Sequence, residues 1–416
     1  MSTPGHSPSH PAGVTWTAPQ WMLSLLLASL AMLGPFSVDT YLPAFSGIAS
    51  SLRATPAQMQ QTLSAFFLTW AIMNLFHGAL ADSFGRRPVM LWGLAMFALA
   101  SIGCAMAQSL EQLVFFRAMQ GMFIGIGTVV SRAVIRDLFA PTQAQKVMSQ
   151  VTMMHAAAPV VAPLVGGWLF VLVGWQSIFW LLVALGVLLW LATYRMLPET
   201  LAPENAQVFR PTPLLRSYQL LLSDARLTLL ALCSALPFCA WFLYVLSAPS
   251  FLGEHLALRP TQFFYLFGVT VTGIVGGAWV SGRIAGRITP AQQIRLALSI
   301  SVGVALLNFL ASLVFPPALP WALFPMLGSA FSWALLLPST TLLLLDLYPA
   351  KRGMASSLQA FFASASIGLM SALLIPLILH STAWMAFCML ALSSAGAVCW
   401  YLLRRRRPGL GETLTS

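Results

Sequence analysis

From residue 20 to residue 403 the chain alternates long apolar runs with short polar breaks. Twelve runs come near the ~20 residues a helix needs to cross the ~30 Å hydrocarbon core of a bilayer. They predict helices over 20–48, 57–80, 89–107, 112–136, 146–170, 176–196, 226–250, 261–282, 292–314, 320–346, 353–378 and 382–403, called spans 1 to 12 below. The expected fold class is therefore an all-α membrane protein. An even number of crossings puts both termini on one side. The longest polar stretch, Leu197 to Asp224, carries Pro198, Pro203, Pro211 and Pro213 and is expected to be irregular. It divides the chain nearly in half. The expected organisation is a disordered cytoplasmic N-terminus (1–18), a six-helix bundle (19–196), a cytoplasmic linker (197–225), a second six-helix bundle (226–403) and a cytoplasmic tail (404–416).

The two halves echo each other. Thr55-Pro56-Ala57-Gln58 opens span 2, and Arg259-Pro260-Thr261-Gln262 opens span 8. Each places proline in the first helical turn, where its missing N–H costs nothing. Gly85-Arg86 recurs as Gly286-Arg287, and Pro141 before span 5 recurs as Pro349 before span 11.

Composition narrows the class. Hydrophobic residues are 58% and charged residues 7%, against ~25% charged in a soluble domain. So few charges cannot cover a water-facing surface. The formal net charge of +11 would suggest nucleic acid in a soluble protein. Its placement says otherwise. Of the 21 Lys and Arg, all but Arg53, Arg117 and Arg259 fall on the side of the termini or at helix ends facing it. That skew is the positive-inside rule, with the termini cytoplasmic and anionic lipid as the contact. No nucleic-acid partner is expected. Residues 1–20 lack the basic segment of a cleaved signal. The five cysteines all lie in apolar runs and are read as packing residues. No phosphate-binding loop and no metal-ligand spacing occur, so neither an enzyme, a cofactor nor a metal is expected.

Nine of the ten acidic residues fall in loops or at helix ends; Asp39 alone lies inside a span. It sits ~27 Å along span 1 from Trp21, at 1.5 Å per residue. An intramembrane carboxylate costs ~2.5–3.5 kcal/mol on insertion scales and is functional by default. Arg117 is the matching basic residue, two turns into span 4. The two occupy similar depths, so contact or near contact is geometrically possible. The balance of burial against a fixed positive charge would then set the pH at which Asp39 exchanges its proton. His155 is a second candidate for titration; a packed neutral histidine is the alternative.

Several motifs resemble one family. Gly78-Ala79-Leu80-Ala81-Asp82-Ser83-Phe84-Gly85-Arg86-Arg87-Pro88 is read as a short polar hairpin between spans 2 and 3, and resembles the loop 2–3 signature of the major facilitator superfamily. Arg117-Ala118-Met119-Gln120-Gly121 resembles its span 4 signature. Span 5 carries Pro159, Pro163, Gly166 and Gly167, similar to the antiporter signature of drug exporters, with Ala158 and Ala162 where that signature has glycine. Asp39-Thr40-Tyr41-Leu42-Pro43 resembles the Bcr/CflA group of drug:proton antiporters. So do Arg132 to Leu138, Trp175 to Phe179 and Ala355 to Gln359.

The resemblance implies two six-helix bundles, alternating access and proton coupling through Asp39 and Arg117. It implies a latch on the cytoplasmic side made by Gly78, Asp82, Gly85, Arg86 and Asp137, with Asp82 facing the start of span 11 near Gly353. Spans that line the cavity in this family offer Tyr41, Phe66, Trp70, Met153, Trp241, Tyr244 and Trp333 as substrate contacts, suited to planar or cationic ligands. Ordinary packing is the alternative for each. The expected function is proton-coupled efflux of small, largely apolar drugs, such as phenicol- or bicyclomycin-like compounds, from a monomer in the bacterial inner membrane. A proton-coupled transporter of a nucleoside, sugar or amino-acid derivative is the alternative; it would want a more polar cavity than Asn74, Gln120, Gln150 and Asn308 supply.

Overall fold

The computed structural model describes residues 20–139, 141–201, 206, 208–406 and 409–412, with backbone alone for 20, 141, 142, 149, 152, 153, 155, 156 and 350. The N-terminal segment expected to be disordered lies outside the described residues. Among the described residues, ten helices are long and apolar enough to cross a bilayer: Trp21–Ser51, Arg86–Ala105, Leu110–Leu138, Gln176–Met196, Ala225–Leu246, Pro260–Ile284, Pro290–Val314, Trp321–Leu347, Arg352–Ile378 and Thr382–Arg406. They are spans 1, 3, 4, 6, 7, 8, 9, 10, 11 and 12. Span 2 is a pair, Pro56–Asn74 and His77–Phe84, bent by 50°. Span 5 is the 33-residue helix Pro141–Val173.

Local chemistry sets the helix starts. Thr55 and Gln58 form a reciprocal cap, with the Thr55 N–H donating to Gln58 Oε1 at 2.8 Å. The Arg259 N–H donates to Gln262 Oε1 at 2.9 Å, and Thr289 with Gln292 repeats the arrangement before span 9. Each satisfies an amide that the helix itself leaves unpaired. Interior prolines stand at Pro35, Pro159, Pro163, Pro237 and Pro338. Neighbouring helices make such breaks tolerable within a bilayer.

Packing repeats between the halves. Span 2 packs on 4, 3 on 4 and 6, and 1 on 4, 5 and 6. In the second half 8 packs on 10, 9 on 10 and 12, and 7 on 10, 11 and 12. The halves meet along spans 2 and 11 and along spans 5 and 8, pairs that exchange under the same six-span shift. Large apolar side chains such as Leu172, Val173, Leu307, Val314 and Leu377 remain exposed. Lipid covers such a surface, where water would drive it to aggregate.

Two local expectations change. The stretch from Gly78 to Arg87 is not a polar hairpin. Helix runs through Phe84 and resumes at Arg86, so Gly85 alone turns the chain. Its φ of +96° is one that a side chain disfavours. The linker is also not wholly irregular: Pro211–Leu222 is helical, with proline in the first turn starting the helix instead of breaking it. Tyr218 on that helix donates to the Leu75 carbonyl at 2.9 Å, a group freed by the bend in span 2.

Candidate functional site

Span 1 carries Asp39 to a point where 4% of the residue is exposed. Among the described residues no hydrogen bond or ion pair reaches its carboxylate. Arg117, fully buried, points elsewhere. Its Nη1 donates to the Ser37 carbonyl at 3.1 Å and to Gln120 Oε1 at 2.9 Å. Gln120 is held in turn by donating to Ser101 Oγ at 2.7 Å. The guanidinium lies 4.7 Å from the centre of the Tyr41 ring and 4.3 Å from that of Phe66. Aromatic faces attract a desolvated cation without neutralising it. Among the described residues, Nε and Nη2 of Arg117 have no partner. The two charged residues thus sit in neighbouring helices, unpaired with each other.

From Arg117 a row of rings crosses the molecule. Phe66 packs on Trp70 at 5.8 Å, and Trp70 stacks on Phe67 at 5.9 Å. Phe67 meets Phe242 of span 7 edge-on at 6.0 Å, across the seam between halves. Phe242 stacks on Phe238 at 5.0 Å, and Phe238 contacts Trp333 of span 10 at 4.7 Å. Trp241 lies 6.1 Å from Trp333. The structure therefore brings together Phe66, Trp70, Trp241 and Trp333, with Tyr41 at the Arg117 end. Tyr244 is turned into its own half, accepting from Asn308 Nδ2 at 2.8 Å and packing on Phe251. The side chains of Met153 and His155 lie outside the described residues. Phe67, Phe238 and Phe242 were absent from the sequence reading. Their signal was there in the adjacency of Phe67 to Phe66 and the i, i+4 spacing of Phe238 and Phe242.

The end remote from the termini is sealed between halves. Gln60 donates to the Leu246 carbonyl at 3.2 Å and accepts from Ser371 Oγ at 2.9 Å. A Cβ on Gly166 would run into the Thr40 carbonyl of span 1, and one on Gly167 would lie 2.7 Å from the Pro260 carbonyl of span 8. Adjacent glycines in span 5 thus seat it against both halves. Pro163 is buried beside them and Pro159 is half-buried.

At the opposite end the charges cluster within the first half. Arg86, nearly buried, pairs with Asp82 and with Asp137, the latter at 3.3 Å. Asp82 is thus occupied by Arg86, and a Cβ at Gly353 would meet nothing within 4 Å. Gly78 is likewise open. Two further residues join this cluster. Glu199 accepts from the N–H groups of Arg86, Arg87 and Leu201 at 3.0, 3.2 and 2.8 Å. Thr200 donates to Asp137 at 3.2 Å. Glu199 caps the start of span 3, where aligned peptide dipoles favour an anion. A Cβ at Gly85 would lie 2.5 Å from that carboxylate. Only their sequence remoteness hid Glu199 and Thr200 from the sequence reading.

Two six-helix halves meeting at a polar-sealed seam, with charge buried in one half, define a multi-pass membrane transporter and not an enzyme. The family model of the Major Facilitator Superfamily matches residues 27–371, and the chain belongs to that superfamily. It is 32% identical over 276 residues to a bicyclomycin resistance protein homolog of Haemophilus influenzae, covering 66% of this chain and 69% of that protein. It is 32% identical over 263 residues to multidrug resistance protein D of Escherichia coli, covering 63% and 65%. Among solved structures it is similar to a D-xylose–proton symporter, with a TM-score of 0.74 at 14% identity over 95% of this chain and 99% of that one. That last likeness is one of fold.

Proposed function

We propose that this transporter exports small, largely apolar compounds across the bacterial inner membrane in exchange for protons, with both termini cytoplasmic. The observation that carries this reading is Asp39, the one acid far from both ends of its span, buried and, among the described residues, without a partner. An ionised carboxylate in that setting is costly; taking up a proton removes the charge. Arg117 nearby, with two nitrogens unpaired among the described residues, offers the group a second way to be compensated when the helices shift. One proton moving through ~150 mV supplies ~3.5 kcal/mol, enough for a ~300-fold gradient of neutral cargo.

The ring row supports an apolar cargo. Phe67 and Phe242 touch across the seam, so a planar molecule can replace one ring contact with two. The buried amides are already spent: Gln60, Asn74, Gln120 and Asn308 all bond to protein groups. That leaves little to read a sugar or nucleoside and disfavours the metabolite reading. The resistance proteins to which the chain is similar support efflux. Arg86, held by Asp82 and Asp137, forms with Gly78 and Gly85 the element that reorganises when the cytoplasmic end closes. The cycle needs protons, cargo and lipid as partners and a monomer suffices for it.

The test is Asp39→Asn, isosteric but unable to titrate. In everted vesicles at equal expression it is expected to lose proton-driven uptake of a neutral apolar drug while folding normally. Wild-type uptake by this variant would refute proton coupling through Asp39.

A further inference from the structure

Beyond the seal at Gln60, on the face remote from the termini, lies a cavity of about 280 Å³. Both halves line it. Phe45 and Gln60 come from spans 1 and 2; Glu254 and Leu258 come from the segment joining spans 7 and 8; Phe263 is in the first turn of span 8; Leu379 follows span 11. Its walls are mostly apolar and aromatic, with Ser46 and Ser250 among them. The Gln60 amide on its floor is spent on Leu246 and Ser371. Glu254 is the single ionisable residue among the lining side chains. It is exposed, and among the described residues no cation pairs with it. Arg53 and Arg259 lie next along the chain from this rim, but neither lines the cavity.

We propose that this cavity is a second ligand site, distinct from the ring row, which takes a small organic cation with an apolar body and a single ammonium group. The body fills the space between Phe45 and Phe263, and the ammonium meets Glu254 at the mouth. The volume sits at the lower end of ordinary ligand pockets, so the fit is to one ring with a short chain. Walls drawn from both halves exist together only while this end is closed. A ligand that bridges them binds the closed arrangement better than the open one and shifts the population toward it. Bound from outside, it slows the cycle; this consequence rests on the alternating-access reading above, whereas the site itself does not.

Three compounds with one apolar body separate the possibilities: 4-phenylbutylammonium, 4-phenylbutanol and 4-phenylbutanoate. Their affinities for the purified full chain in detergent are measured by calorimetry. The ammonium is expected to bind about five-fold more tightly than the alcohol, the value of a partly exposed ion pair, and the carboxylate most weakly. Glu254→Gln, a change at an exposed residue, is expected to erase the difference between ammonium and alcohol. Phe263→Leu is expected to weaken all three. Equal binding of ammonium and alcohol, or an ammonium preference that survives in Glu254→Gln, overturns the site as drawn. Tightest binding by the carboxylate also overturns it, by assigning the mouth to the flanking arginines. These measurements need no transport, so they stand apart from any failure of the export reading. Binding without slower efflux on external addition overturns the braking role.

Discussion

Glu199 gives the sharpest test of how the first half is held together. Its carboxylate accepts three backbone N–H groups, two of them at the first residues of span 3. Those two are among the four amides that a helix cannot satisfy itself. Arg86 is buried, so its amide has little access to water if the carboxylate is removed. Hydrogen bonds to a charged group contribute ~1.5–3 kcal/mol each, and a stranded buried donor costs ~1–3 kcal/mol. Proximity to the membrane surface lets water recover part of this. Glu199→Ala is therefore expected to destabilise the first half by about 3 kcal/mol. For a six-helix half this corresponds to a fall of roughly 6–12 °C in the apparent midpoint in detergent. Glu199→Gln keeps one acceptor but no charge, and about half the loss is expected. Asp346→Ala is the control, since Asp346 is exposed at the same end. The assay is thermal unfolding of the purified chain, with amide exchange at Arg86 and Arg87 as the local readout. An unchanged midpoint in Glu199→Ala, or loss without faster exchange at those amides, would refute the capping argument.

Gly166→Ala is expected to push span 5 off the Thr40 carbonyl, costing ~1–3 kcal/mol as an overpacked contact; a midpoint equal to wild type would show that the seam has slack. Tyr348 donates to Asp224 at 2.6 Å, beside Arg226. These contacts, Arg226 first, hold the Asp224 carboxyl well below the usual carboxylate range. The stability it contributes is present above the unfolded pKa of ~3.9 and is lost as pH falls further, through the folded value. Tyr348→Phe is thus expected to lower the midpoint at pH 6 by the equivalent of about 1 kcal/mol, with the gap to wild type narrowing below pH ~4; a constant gap would exclude the coupling. Phe242→Ala removes the ring that meets Phe67 across the seam, and a loss of ~0.5–1.5 kcal/mol is expected in the binding of an aromatic cargo, read as roughly 2- to 12-fold in Kd; unchanged affinity would remove the ring row from the site.

The crossings were legible in the sequence because a bilayer offers the backbone no partner, so each apolar run must pair its own amides as a helix. Helix starts at Pro56 and Pro260 followed from local chemistry alone. Asp39 stood out for the same reason: one carboxylate among apolar neighbours needs no structure to be noticed. What the tertiary structure decided depends on contacts between distant segments. Asp39 and Arg117 share a depth, yet the guanidinium turns to the Ser37 carbonyl and two rings, because the facing direction on each helix is set by packing. Tyr244 and Trp241 lie three residues apart in one span, and only the relative placement of spans 9 and 10 sends one to Asn308 and the other toward Trp333. Glu199, 113 residues from Arg86, looked like a solvated acid until span 6 packed on span 3 and carried it to the amides it caps. Depth in the membrane follows from composition along one helix, whereas facing follows from which helix lies beside it, and that is a property of the whole chain.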